Sequence, residues 1–274
     1  MSSKVAIVKG ERSIETVSKA LDLIGGLRGL SDKPVLIKVN FITTKTWITG
    51  ATTDPMVVEA LIRAIQTQNE KVYVVESNAT STNADRAAEV TGILALCKKY
   101  NVPFLNLSKL EEKVTLHVPN PETLSEVTVP RLVAESYVVS AAKMKTHSET
   151  QVTLGLKNMF GLIPTRFKMK YHLKGISKVI VDVNTVLKPA LTVIDGFVAM
   201  EGSGPVHGTP VQMDLILAGR DPVSTDSVAS KVMGFDPHAI YHIQRAAQKG
   251  LGRIDDVEVV GERIEVVARE FRRA

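Results

Sequence analysis

The apolar positions of the chain change their period several times, and the changes mark a succession of strands and helices. Val5-Ala6-Ile7-Val8 and Val35-Leu36-Ile37 are short unbroken apolar runs, as expected of strands covered on both faces. Between them, Ser13 is placed to cap a helix running toward Leu23, with Gly25-Gly26 to stop it. Val57, Val58, Leu61, Ile62 and Ile65 recur at helical spacing behind Asp54-Pro55, a capping carboxylate followed by a residue suited to the first turn. Val72 to Val75 predicts the next strand, and residues 84–100 the next helix. Strands and helices alternating at this spacing predict parallel pairing through right-handed crossovers.

From residue 108 to 135 the pattern is irregular. Lys113 to Val118 and Glu126 to Val129 read as strands around Pro119-Asn120-Pro121. Tyr137-Val138-Val139 predicts a core strand leading into AAKMKTH, and residues 152–160 and 173–187 carry helical patterns. Leu191 to Asp195 and Leu215 to Ala218 read as strands, with Gly196 turning the chain after the first and a glycine-rich connection between them. Asp221-Pro222 and Asp236-Pro237 repeat the capping signal. Val257 to Val260 and Arg263 to Ala268 predict a hairpin through Gly261-Glu262. The expected fold class is therefore α/β: a mainly parallel sheet flanked by helices, with an additional C-terminal hairpin. One domain is expected over residues 1–274, with two closely packed lobes as the alternative.

Composition narrows the function classes. A hydrophobic fraction of 44% against 23% charged residues suits a globular chain rather than a disordered one. The net charge of +5 is a mild excess, well short of a dedicated nucleic-acid binder, and Trp47 with few other aromatics offers no stacking platform. Nucleic acid is thus the least favoured partner. Cys97 is the sole cysteine, so neither an internal disulfide nor an endogenous iron–sulfur cluster is expected, and its place in ILALCKKY reads as a buried helix face. The first residues lack a signal-peptide pattern, and no apolar run approaches the roughly 20 residues of a membrane helix. A cytoplasmic location without a membrane partner is the expectation.

Candidate chemistry concentrates between Lys143 and Gly175, where Lys143, Lys145, His147, Lys157, Arg166, Lys168, Lys170, His172 and Lys174 face only Glu149. Lys145-Thr146-His147 directly follows a core strand, where a catalytic loop naturally emerges. Lys157-Asn158 interrupts the apolar helix pattern LGLKNMFGL, so this lysine must reach solvent or meet an anion. His147 is the acid–base candidate because its ordinary pKa lies near neutrality. Lys38, Asn40, Lys157, Asn158 and Arg166 are candidates to hold phosphate or carboxylate, and Lys145 is a catalytic candidate that orients the anion or stabilises a developing oxyanion. A second cluster, VIDGFVAMEGSGPVHGTP, offers Gly202, Gly204 and Gly208, where backbone N–H groups can approach a ligand closely. Asp195 is the leading carboxylate for acid–base work. With Glu201, Asp54 and Glu76 it also forms a candidate set of oxygen ligands for a divalent metal. The histidines form no HExxH pattern, which argues against a zinc site of that type.

The motifs IKVNF at 37–41, TDPMVVEALI at 53–62, VVES at 74–77, AAKMKTHSETQVTLGLKNMFGLIP at 141–164 and VIDGFVAMEGSGPVHGTP followed by LILAGRDPVSTDSVA give the chain a wider resemblance. It resembles the family called domain of unknown function 362 across most of residues 35–234. That resemblance implies that Lys38 and Asn40, Asp54, Glu76, Lys145-Thr146-His147, Lys157-Asn158 and the Asp195–Gly204 loop share one pocket. Some members look like fusions to ferredoxin-type modules. This chain, with Cys97 alone, departs from them, and any redox role would require an external redox protein. The architecture is also similar to that of lactate-racemase-like proteins, without their metal-pincer residues. The reading that follows is an enzyme acting on a small anionic metabolite, with a divalent metal as an optional assistant. A metabolite sensor or redox-partner module without turnover is the alternative, and nucleic-acid binding the third.

Overall fold

The computed structural model describes residues 3–274, and its order of elements follows the alternation of the sequence. The N-terminal half runs β1 (Ser3–Lys9), α1 (Ile14–Leu23), β2 (Val35–Lys38), α2 (Pro55–Gln66), β3 (Val72–Glu76), α3 (Ala84–Val90), α4 (Ile93–Lys99) and β4 (Phe104–Asn106). A separate antiparallel pair follows, β5 (Lys113–His117) with β6 (Glu126–Pro130), then the short α5 (Arg131–Ala134). The second half contains β7 (Tyr137–His147), β8 (Gln151–Thr153), α6 (Gly155–Met159), α7 (Met169–Leu173) and α8 (Ile176–Val186). It closes with β9 (Leu191–Glu201), β10 (Thr209–Gly219), α9 (Pro222–Val232), α10 (Tyr241–Gln248), β11 (Val257–Gly261) and α11 (Ile264–Val267).

The main sheet has the order β11-β1-β10-β9-β7-β2-β3-β4, with β8 paired to β7 off this path. Its central run from β9 to β4 is parallel, as is β11 with β1, while β10 is antiparallel to both of its neighbours. The fold is α/β, with a mostly parallel mixed sheet between helices. Period-two alternation explains the layering: Val5 and Ile7 of β1 join one core, Ala6 and Val8 the other. One core is completed by Leu156, Ile180, Val228 and Ile243 from α6, α8, α9 and α10. The other is completed by Val17, Leu61, Ala87 and Cys97 from α1 to α4. Burial pushes the Cys97 thiol up to about 12, which suits a packing role.

Local capping chemistry held throughout. Ser13 accepts from Thr16 N, Asp54 from Met56 N, and Asp221 from Val223 N and Ser224 N. Asp236 likewise accepts from His238 N, although the element it opens is a single 3-10 turn at Pro237–Ala239.

Three sequence expectations are corrected. The C-terminal hairpin does not form: β11 extends the sheet beside β1, whose edge offers unpaired backbone groups, and residues 264–267 turn into helix. The helical pattern over 152–160 splits, because Gln151–Thr153 first pairs back onto the end of β7. Gly196 does not turn the chain. β9 continues to Glu201, paired with β10 on both sides of an irregularity between Gln212 and Leu215, so Asp195 lies within a strand rather than at its end.

Candidate functional site

Parallel strands place their C-terminal ends side by side, and here three adjacent strands deliver charge to that edge. β2 ends in Lys38, β3 in Glu76, and β7 carries Lys145 and His147 at its end. α6 contributes Lys157 and Asn158, and the chain after it adds Phe160, Gly161, Lys168 and His172. Together with Asn40, Ser77, Thr153 and Pro205 these residues enclose a cavity of about 270 Å3. That size suits a small metabolite.

One wall is fully bonded. The Lys38 ammonium donates to Glu76 Oε2 at 2.8 Å, to the Val39 carbonyl at 2.6 Å and to Asn158 Oδ1 at 3.2 Å. Glu76 also accepts from Phe41 N and Ser77 N, both at 2.9 Å. Asn158 donates to the Lys38 carbonyl at 2.9 Å and to Ser140 Oγ at 3.1 Å, which fixes its amide orientation. Gly161 is required beside this wall: a Cβ there would stand 2.5 Å from the Lys38 ammonium.

The other cations that line the cavity have weaker compensation. Lys145, 1% exposed, donates to the Ala51 carbonyl at 2.6 Å. Burial first, then the charges of Lys157 and Lys143, hold its pKa well below the ordinary lysine value. Burial lowers Lys157 to about 8 against the opposing pull of Glu149. Lys168 donates to Ser77 Oγ at 2.9 Å over the face of Phe160, and burial brings it down to about 7. Two polar atoms among the lining residues, Asn40 Oδ1 and Thr153 Oγ1, are buried without a hydrogen-bond partner.

His147 is held in one tautomer. Its Nδ1 accepts from Glu149 N at 3.1 Å and from Thr150 N at 3.4 Å, which leaves the ring proton on Nε2. Burial, with Lys157 and Lys145 nearby, depresses its pKa to about 2. A pKa depressed this far favours the neutral ring, which presents an Nε2–H donor.

Asp54 and Asp195 belong to a different structure. Lys143 donates to Asp195 Oδ2 at 2.6 Å, Asp54 N donates to the same oxygen at 2.8 Å, and Arg12 grips Asp54 through Nε and Nη2 at 2.6 and 2.7 Å. Glu201 is held by Arg272 at 2.9 Å, far along β9. The four carboxylates expected to share a metal, Asp54, Glu76, Asp195 and Glu201, are thus each bound by a different cation of the chain and do not converge. No group of three or more His, Cys, Asp or Glu side chains suited to a metal ion is present among the described residues. Asp195 has no place on the cavity wall from which to act as an acid or base there.

The glycine loop also serves packing. A Cβ on Gly204 would lie 2.1 Å from the Thr146 carbonyl oxygen, and one on Gly208 would lie 2.4 Å from that of Glu201. The Gly202 carbonyl accepts from Thr146 Oγ1 at 2.8 Å. These contacts seat the loop on the end of β7, with Pro205 reaching the cavity. Arg166 is exposed and outside the lining set, whereas Lys168, two residues on, is inside it. Lys168, Thr153, Ser77 and Gly161 were missed in the sequence. Lys168 was visible only as one of several basic residues in a segment whose pattern does not show which one turns inward.

Residues 35–231 match the family described as Domain of unknown function (DUF362). The chain belongs to this family. A thylakoid-associated protein of Synechocystis is 27% identical to this DUF362 protein over 247 residues, 88% of this chain and 74% of that one. A crystal structure of a Thermotoga maritima protein aligns with a TM-score of 0.50 at 16% identity, covering 89% of this chain. This chain spans 59% of the length of that structure, and the likeness is one of fold.

Proposed function

We propose that this DUF362 protein binds a small anionic metabolite in the cavity at the ends of β2, β3 and β7, and acts on it by acid–base chemistry in which lysine amines carry the proton. The observation that supports this is an imbalance of charge. Lys145, Lys157 and Lys168 line the cavity beyond the matched Lys38–Glu76 pair, and the remaining carboxylate there, Glu149, is already bonded to His172 at 2.8 Å. A buried cation without a counterion is costly, and a bound carboxylate or phosphate removes that cost. Asn40 Oδ1 and Thr153 Oγ1 add an unused acceptor and hydroxyl for the polar part of a ligand. Lys157 and Lys168, lowered toward neutrality, are suited to proton transfer at physiological pH. The test is calorimetric binding of inorganic phosphate and a panel of small mono- and dicarboxylates, followed by turnover assays on the acids that bind. Saturable binding that weakens in Lys157→Met supports the reading. Absence of binding across the panel sinks it, and binding without turnover would favour a sensor.

A second reading concerns location. Phe167, Met169 and Leu173 are 76%, 61% and 85% exposed, and the exposed cations Arg166, Lys170 and Lys174 lie among them. Apolar side chains interleaved with cations fit the surface of an anionic membrane, in keeping with the thylakoid association of the cyanobacterial relative. No helix of the described residues is long and apolar enough to cross a membrane. Salt-sensitive co-sedimentation with phosphatidylglycerol vesicles, weakened by Phe167→Ser with Leu173→Ser, is expected. Equal recovery with phosphatidylcholine vesicles would defeat this reading.

A further inference from the structure

We propose that Lys145 is a nucleophilic amine that condenses with a small oxo acid, an aldehyde or ketone also bearing a carboxylate or phosphate, to form an imine. This rests on the anion-binding reading of the cavity and names the substrate class. Four buried lysines approach the ends of these strands, and their partners differ in kind. Lys38 is bound to the Glu76 carboxylate and Lys143 to the Asp195 carboxylate, so each has an anionic partner. Lys168 rests on a hydroxyl and an aromatic face. Lys145 alone among the four donates only to a peptide carbonyl, that of Ala51.

That single neutral acceptor suits an amine better than an ammonium ion. An amine spends one N–H on Ala51 and keeps a lone pair, whereas an ammonium would bury two further donors. The neighbouring charges of Lys157 and Lys143 favour the neutral form further, as in other lysine nucleophiles placed beside a second cation. Thr153 lies directly across from Lys145 in the β7–β8 register, and its hydroxyl has no partner. The neutral His147 ring supplies an Nε2–H donor two residues along β7. A substrate held by Lys157 and Lys168 through its anionic group would meet the amine, the hydroxyl and the imidazole donor in the same cavity.

The step balances without an oxidant or reductant. The Lys145 nitrogen lone pair attacks the carbonyl carbon, and the C=O π electrons move to oxygen, which takes up the proton released by nitrogen. The resulting carbinolamine then loses its hydroxyl as water, with a proton supplied by the Lys157 ammonium. The nitrogen lone pair forms C=N as the hydroxyl departs, the second nitrogen proton passes to the Lys157 amine and restores its ammonium form, and one water leaves for each imine made.

The test uses the full chain with pyruvate and, separately, dihydroxyacetone phosphate, each with and without sodium cyanoborohydride, and reads the product by peptide mass mapping. The hydride reduces the imine to a stable secondary amine. A single adduct mapped to Lys145, suppressed by excess inorganic phosphate and absent from Lys145→Arg, is the expected result. Calorimetry of the same acids without reductant separates the two possible failures. Binding with no adduct, or with the adduct on Lys157, Lys168 or scattered surface lysines, overturns the imine and leaves the anion site standing. No binding of pyruvate, dihydroxyacetone phosphate or phosphate overturns both. Circular dichroism of Lys145→Arg and of Lys145→Met establishes that a lost adduct reflects lost chemistry rather than lost fold.

Discussion

Lys143 and Lys145 lie two residues apart on β7, and both are buried, yet their surroundings are opposites. Lys143 enters a closed chain of charge, through Asp195 and Asp54 to Arg12, whose guanidinium stacks 4.1 Å from the Trp47 ring. Lys145 meets a backbone carbonyl and has chiefly other lysines as its charged neighbours. The pairing of β7 with β9 shifts register between the two lysines, from Lys143 opposite Asp195 to Lys145 opposite Met200. One strand therefore supplies a lysine to the frame and a lysine to the cavity. A charge bonded on every side holds structure, and a charge left over invites a ligand.

The largest effect should come from breaking the closed chain. Asp195→Ala leaves Lys143 buried without a counterion and frees the Asp54 N–H, so a loss of about 3–5 kcal/mol in unfolding free energy is expected. Urea denaturation measures it. A loss below about 1 kcal/mol, the scale of an exposed pair, would show that Asp195 is not a structural element.

The matching experiment in the cavity should have the opposite sign for stability. Lys145→Met removes a buried amine with no carboxylate partner, so the variant should be as stable as the parent or more so at neutral pH. The pH dependence sharpens this. The folded pKa of Lys145 lies below its unfolded value of 10.5, so the unfolded chain binds more protons across that interval. Parental stability should therefore rise with pH through that window, and Lys145→Met should lack this share of the slope. Affinity for inorganic phosphate should fall no more than about two- to tenfold, the worth of one neutral hydrogen bond, because Lys157 and Lys168 hold the anion. A variant that loses several kcal/mol of stability would reverse the assignment of the two lysines.

Titration of the cavity itself gives a third, milder test. Lys168 and Lys157 lose their protons near 7 and 8, so anion affinity should be constant at lower pH and decline as pH rises through these values. The steepest decline expected is about one order of magnitude per pH unit for each proton lost. Calorimetry in two buffers of different ionisation enthalpy should show net proton uptake on binding near the upper value. Proton release would mean that these amines are not the groups facing the ligand.

How far the sequence disclosed this contrast depends on the range of the interactions. Helix caps and strand runs are written within a few residues, so Asp54, Asp221 and Asp236 were legible as caps. The convergence of Lys38, Asn40, Glu76, Lys145, His147, Lys157 and Asn158 was suggested by separated motifs together with a family resemblance. Spacing along the chain says nothing about which carboxylate meets which cation. Arg12 is 42 positions from Asp54 and went unnoticed, so a carboxylate bound by a guanidinium read as a free metal ligand. Lys168 and Lys170 look alike in sequence, and only the fold buries the first.

His147 provides the smallest and most discriminating test, because its sequence reading and its environment disagree. Its ordinary pKa suggested a proton carrier, but in the fold two backbone N–H groups occupy Nδ1, and burial, with Lys157 and Lys145 nearby, favours the neutral ring. What remains is one Nε2–H donor. His147→Asn should therefore cost the anion about two- to tenfold in affinity, the worth of one neutral hydrogen bond. It should leave the shape of the pH dependence between about pH 5 and 8 unchanged, because the amines that set it are still present. If the variant instead abolished an acidic limb in that range, the imidazole would be taking up a proton after all. The division of β7 into a bonded lysine and a reactive one would then need a third, titrating partner.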